Sequence, residues 1–205
     1  IFRSVALFTT PKVHIRDLFT LTDLDESYTD ASLKISAHIR NLSVASARGY
    51  RISYQLYANE LYADSNQLVP KLKATSSVPA VSSGDEGKVE TVLRVPDPNK
   101  WSAEHPYRYT LLAQLKDSDN RVVETISSYV GFREVEIRDT AAKDDEFGLA
   151  GRYFYVNGQT VKLKGVNRHE THPATGHVLT REQMKEEVML MKRANINHVR
   201  NAHYP

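Results

Sequence analysis

Two histidines and an arginine in the last 40 or so residues have types and positions suited to chemistry. His169 follows a short apolar run, and Arg200 and His203 lie in a second such run beyond a helix-like stretch. Two strands joined by a crossover helix bring their carboxyl ends to the same edge of a sheet. We therefore predict that the three side chains converge there as part of an enzyme's active site, and that the rest of the site lies on chain beyond Pro205.

The elements that must position these side chains are a hairpin, a strand, a helix and a second strand. Residues 154–159 are typical of a strand entering a tight turn, because Asn-Gly is the strongest short hairpin signal. Residues 161–166 predict a second short strand. Thr180 and Gln183 form a capping box at the start of a helix, and residues 198–200 begin another strand. Strand, helix and strand at this length predict a βαβ unit. The helix carries one apolar stripe, formed by Met184, Val188 and Met191.

The first two thirds of the chain is rich in strand patterns. Apolar and polar residues alternate with a period of two, which indicates antiparallel strands with one buried face. Turn-forming segments separate the runs and no helical pattern lies between them, so the sequence predicts an immunoglobulin-like β-sandwich. This pattern ends with residues 129–137, and a polar stretch at 139–146 marks the domain boundary. The alternating runs are residues 13–16, 33–39, 52–57, 89–95 and 107–113.

Composition limits the function classes. The 205 residues carry a formal net charge of +2, which gives no reason to expect nucleic acid or an anionic membrane as a partner. There is no cysteine, so disulfides, thiolate metal sites and a cysteine nucleophile are excluded. No apolar stretch is long enough to span a bilayer. The compartment stays open between bacterial cytoplasm and periplasm.

The segments at 165–173 and 197–205 carry a resemblance. Asn-x-Val-Arg-x-x-His-Tyr-Pro at the end of the chain, together with Gly-Val-Asn-Arg-His-Glu from Gly165, resembles glycoside hydrolase family 2, and within it the large bacterial β-galactosidases. The resemblance implies a mostly β chain: an immunoglobulin-like sandwich followed by the first βα elements of an incomplete (β/α)₈ TIM barrel. It also implies three parts: 1–11 as the final strand or linker of an absent jelly-roll domain, 12–138 as the sandwich, and 139–205 as linker and barrel opening.

The same resemblance implies roles for the three side chains. Histidines matching His169 and His203 line the galactose subsite and stabilise the transition state, and an arginine matching Arg200 lies close to the nucleophile. Hydrolysis with retention needs two carboxyl groups about 5–5.5 Å apart. Both are glutamates on later barrel strands, so we expect them beyond Pro205 and expect the isolated chain to be inactive. Glu170 matches neither, and we predict that it is structural or supports the residues that contact the substrate. No cofactor is expected in this chain, whereas Mg²⁺ and Na⁺ are expected in the full-length enzyme.

Competing interpretations of the sequence remain open. A non-catalytic β-sandwich module that binds carbohydrate or acts as a scaffold would account for the first two thirds. The β-glucuronidase and β-mannosidase branches are disfavoured by residues 167–173. His169, Glu170 and His172 resemble a zinc motif, but their spacing is one residue short and Pro173 argues against a helix.

The sequon at Asn41 is attributed to chance, and Trp101 is predicted to be a core or corner plug. The apolar helix stripe predicts docking on the chain's own sandwich or self-association.

Overall fold

The computed structural model describes residues 5–59 and 67–202. Contacts divide the described residues into two units. The first unit comprises described residues within 9–136 and 155–159, and the second comprises described residues within 1–8, 137–154 and 160–205. Residues 5–11 lie in no helix or strand. The described part of the segment 1–11, which is expected to be a final strand or a linker, therefore contains no strand.

The first unit is a β-sandwich of two antiparallel sheets. β1, β2 and β5 form one sheet in the order β1-β2-β5, and the others form a sheet in the order β4-β3-β6-β7. The five predicted runs correspond to β1, β2, β3, β5 and β6, and the fold contains two further strands, β4 and β7, that are not among the predicted runs. The strands are β1 (Val13–Leu24), β2 (Ala31–Asn41), β3 (Arg51–Asn59), β4 (Gln67–Ser77), β5 (Glu86–Val95), β6 (Arg108–Lys116) and β7 (Val122–Val130).

Period-two alternation builds the core of the sandwich. Every second side chain of β2 is buried, from Leu33 to Ile39, and β6 alternates in the same way. Since successive side chains of a strand point to opposite faces, each sheet has one apolar face. The two faces meet in a single cluster of buried residues that includes Ile52, Tyr54 and Leu111.

The strand pattern that is expected to end with residues 129–137 is interrupted within this segment. β7 ends at Val130, and β8 (Val135–Thr140) starts five residues later. Phe132, between them, is fully buried and packs edge-to-face on Tyr109 with the ring centroids 5.0 Å apart. The chain leaves the ladder at this point so that the Phe132 ring can enter the core.

Trp101 lies at this same corner. Its backbone amide donates to the carbonyl of Phe132 at 2.8 Å, and the Arg133 guanidinium stacks over its ring at 4.3 Å. Gly131 packs against its side chain, because a Cβ there would lie 3.3 Å from the Trp101 Cβ. Through these contacts Trp101 fills a corner of the sandwich, and the Arg133 guanidinium covers its ring.

The sequon at Asn41 is part of the core. The Asn41 side chain is fully buried, and its amide nitrogen donates to the carbonyls of Ala45 at 2.8 Å and Val81 at 2.9 Å. Its side-chain oxygen accepts from the backbone amide of Ser43 at 2.9 Å. An amide that is buried and bonded in this way is not accessible to glycosylation in the folded chain.

Beyond β8 the chain contains a 3₁₀ turn and the predicted βαβ unit. β8, β9 and β10 form a three-stranded sheet with β9 in the middle, and β11 pairs with β12. The single strand predicted over residues 161–166 is wrong, since β10 ends at Val161 and β11 begins at Gly165. No helix within the described residues is long and apolar enough to cross a membrane. The elements are the turn at Ala142–Asp144, β9 (Gly151–Val156), β10 (Gln159–Val161), β11 (Gly165–His169), α1 (Arg181–Arg193) and β12 (His198–Ala202).

The β9–β10 hairpin turns at Asn157 and Gly158, as predicted. Both residues have positive φ, 51° and 75°, which is the geometry of a type I′ turn. The Asn157 side chain donates to the carbonyl of Trp101 and accepts from the amide of Glu134, both at 3.0 Å. Gly158 lies beneath the ring of Tyr28, so the tip of the hairpin is fastened to the sandwich unit.

Gly158→Ala is expected to destabilise the sandwich unit more than the same change at Gly84. Both glycines have positive φ, so alanine costs about 1 kcal/mol at either site. At Gly158 the new Cβ would also lie 2.5 Å from the Tyr28 ring, whereas nothing lies within 4 Å at Gly84. Overpacking adds about 1–3 kcal/mol. Urea unfolding of the two variants measures the difference, and equal free energies of unfolding would contradict the Tyr28 contact.

Candidate functional site

The candidate site is built on the parallel pair β11 and β12. Gly165 pairs with His198, Asn167 with Arg200 and His169 with Ala202, without a register shift. Both strands therefore end at the same edge, as the sequence predicts for a βαβ unit. His169 is the last residue of β11, and Arg200 lies two residues before the end of β12.

Asn197 fixes this register at the amino-terminal edge. Its side-chain oxygen accepts from the backbone amide of Lys164 at 2.8 Å, and its side-chain nitrogen donates to the carbonyl of Lys162 at 3.0 Å. The backbone amide of Asn197 donates to the carbonyl of Lys164 at 3.1 Å. The side chain thus continues the ladder where the strand itself has not yet begun, which prevents β12 from sliding along β11.

The two faces of the pair carry different side chains. Arg168 contacts Glu187 of α1 and Asn201 of β12, so these residues lie on the helix side of the pair. Successive residues in a strand alternate between faces, which puts Asn167, His169 and Arg200 on the opposite face. All three are exposed. The structure therefore brings two of the three predicted residues to one face, and His203 lies outside the described residues.

Helix α1 begins where the capping box predicts. The Thr180 hydroxyl oxygen accepts from the backbone amide of Gln183 at 3.2 Å, and the Gln183 side chain accepts from the amide of Thr180 at 2.8 Å. The helix ends before Asn195, whose φ of 58° turns the chain out of the helix. Both ends are therefore determined locally, and they set the distance that the crossover covers between β11 and β12.

A cluster of polar residues fills the helix side of the strand pair. The Arg168 side chain is 13% exposed, and its Nε donates to Glu187 Oε2 at 2.8 Å. Its Nη2 also binds Glu187, and its Nη1 donates to Asn201 Oδ1 at 3.1 Å and Glu170 Oε1 at 3.2 Å. Asn201 Nδ2 lies 3.4 Å from the same Glu170 oxygen. One guanidinium thus joins both strands, the helix and the loop after β11.

Glu170 belongs to this cluster. It is 6% exposed and follows His169 directly. Its carboxylate is held by Arg168 on the helix side of the sheet, so it points away from the face that carries His169. This geometry agrees with the structural role expected for Glu170.

The zinc-like pattern at residues 169–172 forms no metal centre. His172 lies in a tight loop, where its Nδ1 accepts from the backbone amide of Ala174 at 3.2 Å and its backbone pairs with Gly176. Within residues 5–59 and 67–202, no three His, Asp or Glu side chains are grouped closely enough to hold a metal ion.

Comparisons with family models match the sandwich and the segment with the βαβ unit separately. Residues 13–133 match the model of glycosyl hydrolases family 2, and residues 147–205 match the TIM barrel domain of the same family. The chain belongs to glycosyl hydrolases family 2. Its immunoglobulin-like sandwich is thus followed by the opening βα elements of the family's TIM barrel, which confirms the predicted fold class and the resemblance.

Curated family 2 relatives match over the whole chain. The β-galactosidase of Priestia megaterium is 36% identical over 206 residues, and that of Pseudoalteromonas haloplanktis is 34% identical over 206 residues. Each match covers 100% of this chain and 18% of the relative. The chain thus spans less than a fifth of the length of the curated relatives it matches.

Solved family structures share the fold. A β-glucuronidase of Bacteroides uniformis superposes with a TM-score of 0.75 at 22% identity, over 96% of this chain and 22% of that one. A putative β-galactosidase from Bacteroides fragilis gives 0.73 at 20% identity, over 91% of this chain and 25% of that one. At these identities the likeness concerns the fold alone.

Two features of the site were not predicted from the sequence. Asn167 shares the exposed face with His169 and pairs with Arg200, a relation that depends on the register. Arg168 contacts Glu187, which lies 19 residues further along the chain. The signal available for Asn167 was its position two residues before His169, which in a strand means the same face.

Proposed function

We propose that the whole protein containing this chain is a retaining β-galactosidase that removes terminal non-reducing β-D-galactose residues from β-galactosides. One observation carries the proposal: relatives named β-galactosidase match the chain from end to end at up to 36% identity. The structural neighbours named β-glucuronidase are 21–24% identical and share the fold only. A non-catalytic sandwich module is disfavoured, since it leaves the barrel segment at 147–205 without a role.

His169, Arg200 and His203 are proposed to bind the galactosyl group and its developing charge. The support for His169 and Arg200 is their placement on one exposed face at the carboxyl end of a parallel strand pair, where barrel enzymes build their active sites. An imidazole can donate to a sugar hydroxyl, and a guanidinium can keep a nearby carboxylate ionised and oriented. For His203 the support is the sequence resemblance, because it lies outside the described residues.

The attacking carboxylate and the acid that protonates the leaving oxygen are proposed to come from later barrel strands. Glu170 is turned to the helix side and is bound by Arg168, so it does not serve either role. Mg²⁺ and Na⁺ are proposed for the whole enzyme by family resemblance. Within the described residues, no three His, Asp or Glu side chains are grouped closely enough to hold a metal ion, and we assign these residues no step that involves a metal.

We also propose domain limits of 12–138 for the sandwich and 139–205 for the linker and barrel opening, with 1–11 as the connection from a jelly-roll domain. The family models at 13–133 and 147–205 support these limits.

In the full-length protein, His169→Ala is expected to lower kcat/KM for a β-galactoside on the order of 100-fold, because a hydrogen bond that stabilises the transition state is lost. Steady-state hydrolysis of a nitrophenyl galactoside measures this. His198→Ala is the matched control, since His198 pairs with Gly165 at the amino end of the same strands. An unchanged kcat/KM in His169→Ala, or an equal loss of kcat/KM in His198→Ala, would rule out the proposed role of His169.

The isolated 205-residue chain is expected to release no galactose. Retaining hydrolysis needs two suitably spaced carboxyl groups. We propose that neither of them lies among the described residues. The assay uses chain purified from a host that lacks β-galactosidase, with the full-length protein as positive control. Turnover that follows the purified chain would contradict the proposed division of the active site.

The isolated chain is further proposed to associate with itself through α1. Within the described residues none on α1 is buried, and Val188 and Leu190 are 54% and 61% exposed. Of the predicted stripe, Met184 and Met191 are half-buried. Light scattering after gel filtration is expected to give a mass above that of one chain, and Val188→Glu with Leu190→Glu is expected to restore the monomer. A monomer from the unmodified chain would refute this.

A further inference from the structure

We propose that Arg168 is a positioning residue of the galactoside site, acting through the backbone that carries His169 and Arg200. The inference rests on the proposed function. Arg168 lies on the face of the strand pair opposite to these two side chains, so it does not itself contact a substrate bound on their face.

The Arg168 guanidinium joins four elements of the fold. Arg168 is in β11, Asn201 is in β12, Glu187 is in α1, and Glu170 is in the loop that follows β11. Every nitrogen of the guanidinium has a partner on one of the other three elements. The side chain is 13% exposed, so water competes little for these bonds.

Three of the four elements joined by Arg168, namely β11, β12 and the loop after β11, carry or adjoin a candidate site residue. Arg168 and Glu170 flank His169 in the chain, and both of their side chains are held on the helix side. Because neighbours in a strand alternate, holding these two directs the His169 side chain to the opposite face. Asn201 is related to Arg200 in the same way. The cluster therefore determines where His169 and Arg200 stand relative to one another.

The chemistry of the cluster requires arginine. The planar guanidinium offers donors in three directions, and here they reach Glu187, Glu170 and Asn201 at once. A lysine ammonium keeps the positive charge between the two carboxylates but is a compact point donor on a flexible stem. It cannot span the same three partners, so Arg168→Lys preserves the charge and removes the geometry.

Arg168→Lys in the full-length enzyme tests this. We expect kcat for a β-galactoside to fall on the order of 10- to 100-fold, with little change in KM, since a misplacement of about 1 Å at a catalytic centre costs on this scale. Rates are expressed per active site, counted by trapping the glycosyl-enzyme with a 2-fluorogalactoside, so that a smaller folded fraction does not enter kcat. Arg193→Lys, an exposed site at the end of α1, is the matched control and is expected to keep the wild-type kcat.

A double-mutant cycle with His169→Ala separates positioning from a general loss of structure. Because Arg168 is proposed to act through both His169 and Arg200, Arg168→Lys is expected to lower kcat by a clearly smaller factor in the His169→Ala background than in the unmodified enzyme, and the remaining fall is attributed to Arg200. An undiminished loss in that background, or a wild-type kcat in Arg168→Lys alone, overturns the inference. If the lysine variant does not fold, Asn201→Ala removes one neutral partner of Arg168 instead. We expect a smaller fall in kcat from this change, and a wild-type kcat overturns the inference. An unmodified full-length protein without galactosidase activity would refute the proposed function itself.

Discussion

The parallel pairing of β11 with β12 is the constraint on which the candidate site depends. Parallel neighbours cannot be joined by a short turn, so the chain must cross over through α1 before it returns. The return brings both strand ends to one edge, and the ladder holds the two backbones about 4.8 Å apart. His169 and Arg200 are 31 residues apart in the chain, yet this pairing puts them on one face of adjacent strands. Any substrate contact that they share depends on it.

Two sets of polar contacts keep the pair in register. At the amino edge the Asn197 amide bonds to the backbone of Lys162 and Lys164, in place of a strand neighbour. Toward the carboxyl edge the Arg168 guanidinium bridges side chains of β12, α1 and the loop. A shift of one residue would turn His169 to the helix side. It would also leave charged groups of the cluster without partners, which is costly where water is largely excluded.

The Asn157-Gly158 turn makes its contacts within the sandwich unit. The Asn157-Gly158 turn belongs in sequence to the segment that matches the barrel model, but its contacts are with Trp101, Glu134 and Tyr28. The backbone that leads from β9 into β10 is therefore tied to the sandwich core just before the strand pair begins. The β-galactosidases of Priestia megaterium and Pseudoalteromonas haloplanktis match both parts of the chain.

Local physics made much of this chain predictable from its sequence. Alternation with a period of two predicts five of the sandwich strands, because a half-buried strand needs one apolar face. Asn157-Gly158 predicts the hairpin, because a type I′ turn needs positive φ at both positions, and the Thr180 capping box predicts where α1 begins. The motif segments at 165–173 and 197–205 indicate His169, Arg200 and His203 as candidate site residues. All of these signals act within a few residues.

Tertiary structure decided the features that depend on distant partners. The strand order β4-β3-β6-β7, the break in the ladder that lets Phe132 enter the core, and the burial of the Asn41 sequon result from packing between segments far apart in sequence. So do the separation of β10 from β11 and the convergence of Glu170, Glu187 and Asn201 on Arg168. A local pattern determines which face a side chain occupies along its own strand. Only the folded chain determines what lies opposite that face, because the contact free energy exists only once both segments are in place.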